Sequence, residues 1–238
     1  MTSIVSKAKS RPLFMALSVL MVVIAVVGFW PTYFGPLVKS ALVQPLIIHW
    51  HVLVFTGWLL LFFAQTAFAA TGRVSAHIKL GRIGIVYGAC LIAVGVTTGV
   101  IRAGALEAPE GASLLMAAIA DMTVFAVFFG LAIAYRKKPH IHKRAMVVAA
   151  TMLLVAAVTR MWFLTDLPFP WGLPTIFLIW FSPILIAAAH DWFHGQRVHP
   201  VYIAGIVVLV LRFFLAELLA RTGAWKDFAN GVFELWGV

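Results

Sequence analysis

A chain of 238 residues with 63% hydrophobic and 11% charged side chains and a mean hydropathy of +1.02 cannot cover itself with polar surface, which excludes an ordinary soluble domain and makes lipid its solvent. The formal charge of +10 does not signal nucleic acid, because the basic residues sit in short loops and form no stripe interleaved with aromatics. The single cysteine, Cys90, lies in an apolar run and excludes both an intramolecular disulfide and a cysteine-based zinc site.

The first apolar block, Leu13 to Tyr33, follows Lys7, Lys9 and Arg11. It is too long for the core of a secretory signal, and no small-residue cleavage pattern precedes Trp30 and Pro31, so it reads as a permanent span. Further blocks run Leu46 to Ala70, Ile83 to Ile101, Leu114 to Ala134, Ala145 to Leu164, Leu173 to Ala189 and Val201 to Ala220. Lipid offers no partner to free backbone groups, so each block is expected to be a helix. The pattern predicts an all-α, polytopic bundle of about seven transmembrane helices in one domain, residues 1–238.

Orientation follows from lysine and arginine. With the N-terminus inside, the inner segments hold Lys7, Lys9 and Arg11, then Arg73, Lys79 and Arg82, then the Arg136 to Arg144 loop, and finally Arg197. The outer segments hold Lys39, Arg102, Arg221 and Lys226 beside Glu107, Glu110, Asp166, Asp227 and Glu234. The N-terminus is therefore expected in the cytoplasm, in a multi-pass protein of a bacterial inner membrane. In the third block Gly81, Gly84, Gly88, Gly95 and Gly99 predict a close helix-packing face. Trp30, Trp162, Trp171 and Trp225 read as interfacial belt residues.

Topology also sorts the histidines. His77, His140, His142, His190, His194 and His199 converge on the inner rim with Asp191, whereas His49 and His51 lie at the outer end of the second block. Neutral imidazole is the commonest transition-metal ligand, and histidines with a carboxylate suit zinc or non-haem iron. His190 and His194, spaced i,i+4, would share a helix face and could chelate one ion. His77 and His142, each at the foot of a helix, could instead serve as axial ligands of a haem. A merely solvated polar rim explains the same residues, and His140 is the expected bystander.

A second polar set is expected within the bilayer: His51, Gln65, Asp121, Arg160, Arg212 and Glu217. Buried ionisable groups pair, and depth suggests Asp121 with Arg212 and Glu217 with Arg160. His51, Trp58 and Gln65 recur every seven residues and predict one inward-facing stripe, with His49 left near the headgroups.

The segments HVLVFTGWLLLFFAQTAFAATGRVSAHIKLGRIG, HKRAMVVAATMLLVAAVTR and GQRVHPVYIAGIVVLVLRFFLA resemble a widespread bacterial family of uncharacterised multi-span membrane proteins. The resemblance covers most of the chain from His51 onward, at His51, Gln65, Arg73, His77, Gly81, His142, Lys143, Arg144, Asp191, Arg197, His199, Pro200 and Arg212. That family has an aromatic residue at the place of His190 and no histidine at that of His194. The resemblance thus points to His77, His142, Asp191 and His199 as the sharper site. The same histidine-bearing helix starts give a weaker likeness to bundle cytochromes of the b561 type, although the ligands there sit deeper.

The functional expectation is a membrane redox or electron-transfer protein. It would hold haem b or a non-haem iron, zinc or copper ion at the inner rim, and serve a quinone or other redox partner. The alternatives are a small-solute or proton transporter using Asp121, Arg160, Arg212 and Glu217, and an assembly subunit of a larger membrane complex. No phosphate-binding Gly-rich loop, nucleophile elbow or HExxH motif supports nucleotide hydrolysis, serine hydrolysis or classical zinc proteolysis.

Overall fold

The computed structural model describes residues 11–161, 172–195 and 197–238. Lys7, Lys9, Trp162, Leu164, Asp166 and Trp171, which enter the sequence reading above, lie outside the described residues. All regular structure among the described residues is helical. Helix α1 (Arg11–Phe29) continues through a π-turn (Trp30–Phe34) into Gly35–Val38. It is followed by α2 (Leu46–Ala70), α3 (Val74–Gly104), α4 (Glu110–Ala134), α5 (Pro139–Met152), α6 (Val155–Met161), α7 (Gly172–Phe193), α8 (Pro200–Ala220) and α9 (Gly223–Trp236). Six helices are long and apolar enough to cross a membrane, and α5 with α6, bent by 45°, make a seventh if the pair is one span.

The periphery is apolar, as lipid requires: Leu53, Val86 and Leu178 point outward with 60%, 66% and 63% of their surface exposed. Inside, Leu17, Met21, Leu91, Phe125, Met152, Trp180 and Ile184 belong to one continuous core. Helix α4 is central, packing against α3, α5, α8 and α9. The expected small-residue face of α3 is present, and it meets α4. Side chains built at Gly88, Gly95 and Gly99 would strike Phe129, Met122 and Ala118. Gly81 and Gly84 behave differently: the nearest atoms to a side chain built there, from Gln65 and Leu61, are 3.5 and 3.4 Å away, at ordinary contact distance.

The bend between α5 and α6 falls at Leu153 and Leu154, with neither Pro nor Gly to announce it. Trp180 of α7 compensates by donating its indole N–H to the Thr151 carbonyl at 2.9 Å. Unpaired backbone at membrane depth is tolerated only where protein re-satisfies it or a cavity adjoins it.

Helix α9 lies beyond the last predicted span and is amphipathic. It docks Ala229 into a small second core with Val100, Ala103, Ala112 and Leu115. Trp225, expected as a belt residue, donates its indole N–H to the Ala112 carbonyl at 2.8 Å and so pins α9 to α4.

Candidate functional site

Two tight turns create the site. Helix α2 closes in a Schellman motif, with Gly72 at φ 75°, the Arg73 amide bonded to the Phe68 carbonyl at 2.9 Å and the Gly72 amide to that of Ala69 at 3.4 Å. The chain re-enters helix at Val74, so His77 in the first turn of α3 stands beside the end of α2. Helix α4 gives way to α5 in a similarly short connection, and Pro139 opens α5 where no amide donor is required. His142, again the fourth residue of its helix, stands beside the end of α4.

Each histidine uses the same bond. His77 Nδ1 lies 3.2 Å from the Gln65 carbonyl, and His142 Nδ1 lies 2.8 Å from the Ala132 carbonyl, in the last turn of α4. A carbonyl only accepts, so Nδ1 carries a proton and donates in both rings, and in the neutral tautomer this leaves Nε2 with its lone pair. The ring centroids are 6.3 Å apart and the planes nearly perpendicular, at 87°.

Both rings line a cavity of about 680 Å³ whose walls include Trp58, Phe62, Phe129, Gly81 and Gly84, with Lys143, Arg144 and Asp191 among the polar residues. Ligand pockets typically span about 300–1,000 Å³ and are mostly apolar with a few convergent polar groups. Two buried polar atoms of residues lining this cavity lack a hydrogen-bond partner, Trp58 Nε1 and Gln65 Oε1. The inward stripe on α2 is therefore present, with Trp58 only 2% exposed and wedged edge-on between Phe125 and Phe129.

The other rim residues are engaged elsewhere. The Asp191 carboxylate receives Nε and Nη2 of Arg144 at 3.0 and 2.7–2.8 Å. In this arrangement both carboxylate oxygens of Asp191 are taken up by Arg144. His199 caps α8, its Nδ1 accepting from the Val201 amide at 3.3 Å, and its ring lies 5.8 Å from that of His140. Burial first, then the nearby Arg144 charge, hold the His199 pKa below its ordinary value. His190 and His194 do share a helix face, but their rings stack at 4.0 Å and 23°, and His194 Nδ1 bonds the His190 carbonyl. The two rings present their faces, rather than converging ring nitrogens, to one another. Among the described residues no group of three or more His, Cys, Asp or Glu is arranged to hold a metal ion.

Near the middle of their helices, Asp121 and Arg212 form the ion pair expected from depth, and Arg212 also donates to the Ala117 carbonyl at 2.9 Å. The second expected pair is corrected. Glu217 is exposed and bonds Arg221 one turn along its own helix at 2.8 Å, while Arg160 spans the Phe29 ring and donates to the Ala156 carbonyl. Depth alone could not tell which face of α8 Glu217 occupies. His49, expected near headgroups, is held by the Tyr33 hydroxyl at 2.8 Å. His51 stacks on Phe55 with its Nδ1 buried and unpartnered.

Sequence reasoning took Arg144 as a topology signal and missed its role as the partner of Asp191. Arg102 and Thr98 were likewise passed over, although both line a second cavity with His51 and Arg160. No protein-family model, curated protein or solved structure matches the chain.

Proposed function

We propose that this integral membrane protein is an electron-transfer protein that binds haem b between α2, α3, α4 and α5, with His77 and His142 as axial ligands. The observation that carries the reading is the shared tautomer. Two imidazoles from different helices are each fixed through Nδ1–H to a backbone carbonyl, which orients the ring and leaves Nε2 for a metal. The two ring centroids are 6.3 Å apart, so both imidazoles would be near enough to hold one iron between them.

The donor set favours haem over a bare ion. A structural zinc site takes four protein ligands and a catalytic one three, whereas among the described residues only paired histidines are available here. A porphyrin brings its own four nitrogens and asks the protein for axial ligands alone. The cavity has room for a large apolar group, and the glycines at positions 81 and 84 leave its wall open. Lys143 at the same cavity supplies positive charge for a carboxylate substituent, whereas the charge of Arg144 is already met by Asp191. When bound, the group would supply one-electron chemistry. The protein's share is to orient the imidazoles, hold the site dry behind Trp58 and Phe129, and set its potential through burial and charge.

The transport reading loses ground, because Asp121 and Arg212 neutralise each other and Glu217 lies outside the bundle. Nothing favours the assembly-subunit reading. The test is an optical spectrum with iron analysis of detergent-purified protein expressed with haem precursor. A Soret band with one iron per chain is expected, abolished in His77→Ala and His142→Ala and retained in His140→Ala and His194→Ala. Folded protein with no Soret band, or a band indifferent to both ligand substitutions, would overturn the reading.

A further inference from the structure

A second cavity of about 520 Å³ lies at the other end of the bundle, between α1, α2, α3, α4 and the bend joining α5 to α6. Its walls are mostly aliphatic and aromatic, with Val22, Phe29, Phe55 and Leu59 among them. Its polar residues include two arginines that lack a carboxylate partner among the described residues, although Arg160 donates to the Ala156 carbonyl and lies over the Phe29 ring. Arg102, in the last turn of α3, and Arg160, in the last turn of α6, both line it, and Arg102 is near enough for its charge to act on Arg160. Among the described residues no carboxylate forms an ion pair with either. Asp121, which also lines the cavity, is already committed to Arg212.

Two further groups point the same way. Thr98 is 6% exposed, and its hydroxyl, which in a helix ordinarily bonds a carbonyl of the preceding turn, has no partner. His51 Nδ1, equally buried, has none either. A buried polar atom without a partner costs about 1–3 kcal/mol, and guanidinium groups at membrane depth normally find an anion.

We propose that this cavity binds an amphiphile with an anionic head, a carboxylate or a phosphate ester. The head sits between Arg102 and Arg160 within reach of Thr98, and the acyl tail fills the apolar interior. A neutral quinone would fill the apolar space but supply no counter-ion to either arginine. A small inorganic anion would answer the cations but leave the apolar space open. The ligand is therefore a fatty acid or an acidic phospholipid, and the site is independent of the histidine pair.

Native mass spectrometry of delipidated, detergent-purified protein separates these cases, with palmitate, phosphatidylglycerol, phosphatidylcholine, decylubiquinone and inorganic phosphate added in turn. One palmitate or one phosphatidylglycerol per chain is expected, whichever binds identifying the source. Arg160→Gln and Arg102→Gln should each weaken it about tenfold, the loss of one charge-assisted bond. Arg160→Lys should recover part of the affinity, and His194→Ala should leave lipid binding unchanged. Equal binding of phosphatidylcholine or decylubiquinone, binding of inorganic phosphate alone, or indifference to Arg160→Gln in protein with unchanged thermal unfolding would each overturn the proposal.

Discussion

Arg144 holds Asp191 in a two-point grip, Nη2 to one carboxylate oxygen at 2.8 Å and Nε to the other at 3.0 Å, with both side chains more than nine-tenths buried. The pair ties the start of α5 to the end of α7 at the rim of the histidine cavity. Removing one partner strands a buried charge, which costs about 3–5 kcal/mol. Asp191→Asn and Arg144→Met should each lower the thermal unfolding midpoint markedly, while the pair Asp191→Leu with Arg144→Met recovers most of it. If Asp191 were a metal ligand instead, Asp191→Asn would remove bound iron from protein that still unfolds at the original temperature.

Gly28 and Gly130 should respond in opposite directions to the same change. A Cβ on Gly28 would run into the backbone of Ala157, which cannot rotate away, so α1 and α6 would have to part. Overpacking of this kind costs about 1–3 kcal/mol. A Cβ on Gly130 meets nothing within 4 Å, and alanine improves helix propensity there by up to about 1 kcal/mol. Thermal unfolding in one detergent should rank Gly130→Ala at or above the unmodified protein and Gly28→Ala clearly below it.

The spans were legible because lipid imposes one rule, a long apolar helix, and composition obeys it directly. The α2 stripe was legible because a period of seven names one helix face, and Asp121 with Arg212 because two buried charges at one depth have few alternatives. Helix α9 was not, since an amphipathic helix of 14 residues resembles a polar tail until its docking partner is known. The break at Leu153 has no Pro or Gly to betray it. Asp191 and His199 show a deeper limit: the side-chain types that bind metals also form ion pairs and caps. Arg144 and Asp191 are 47 residues apart in sequence, so only the fold could pair them.

His199 should make the protein less stable in mild acid. Its Nδ1 caps α8 by accepting from the Val201 amide, which only the neutral ring can do. Burial and the Arg144 charge hold its folded pKa below its unfolded value of about 6.5. Between those two values the unfolded chain binds more protons, so stability is full above about pH 6.5 and declines as pH falls towards the folded pKa. His140, Lys143 and Asp191 act on the same ring, Asp191 in the opposite sense. His199→Asn, which keeps a neutral capping side chain, should flatten the dependence of the unfolding midpoint between pH 7.5 and 5 relative to the unmodified protein, each with roughly the same midpoint at the upper end. An unchanged slope in His199→Asn would assign the acid sensitivity to the other histidines.

Asp121 and Arg212 join α4 to α8 by an ion pair within the membrane, and Arg212 is tied further to the Ala117 carbonyl. Whether the pair works or merely holds helices together is decided by what its joint removal does. Asp121→Leu alone leaves a buried guanidinium with one carbonyl partner, and Arg212→Met alone leaves a buried carboxylate. Either change should cost about 3–5 kcal/mol. Apolar side chains of similar volume at both positions leave no stranded charge, so Asp121→Leu with Arg212→Met should be close to neutral and strongly non-additive with the single changes. For the haem proposed above, a structural pair also predicts that this double variant has the same Soret band and the same reduction rate by dithionite as the unmodified protein. A pair that carries protons would give a double variant equally stable to heat but altered in the pH dependence of its reduction potential, and that result would move these two charges from the scaffold into the mechanism.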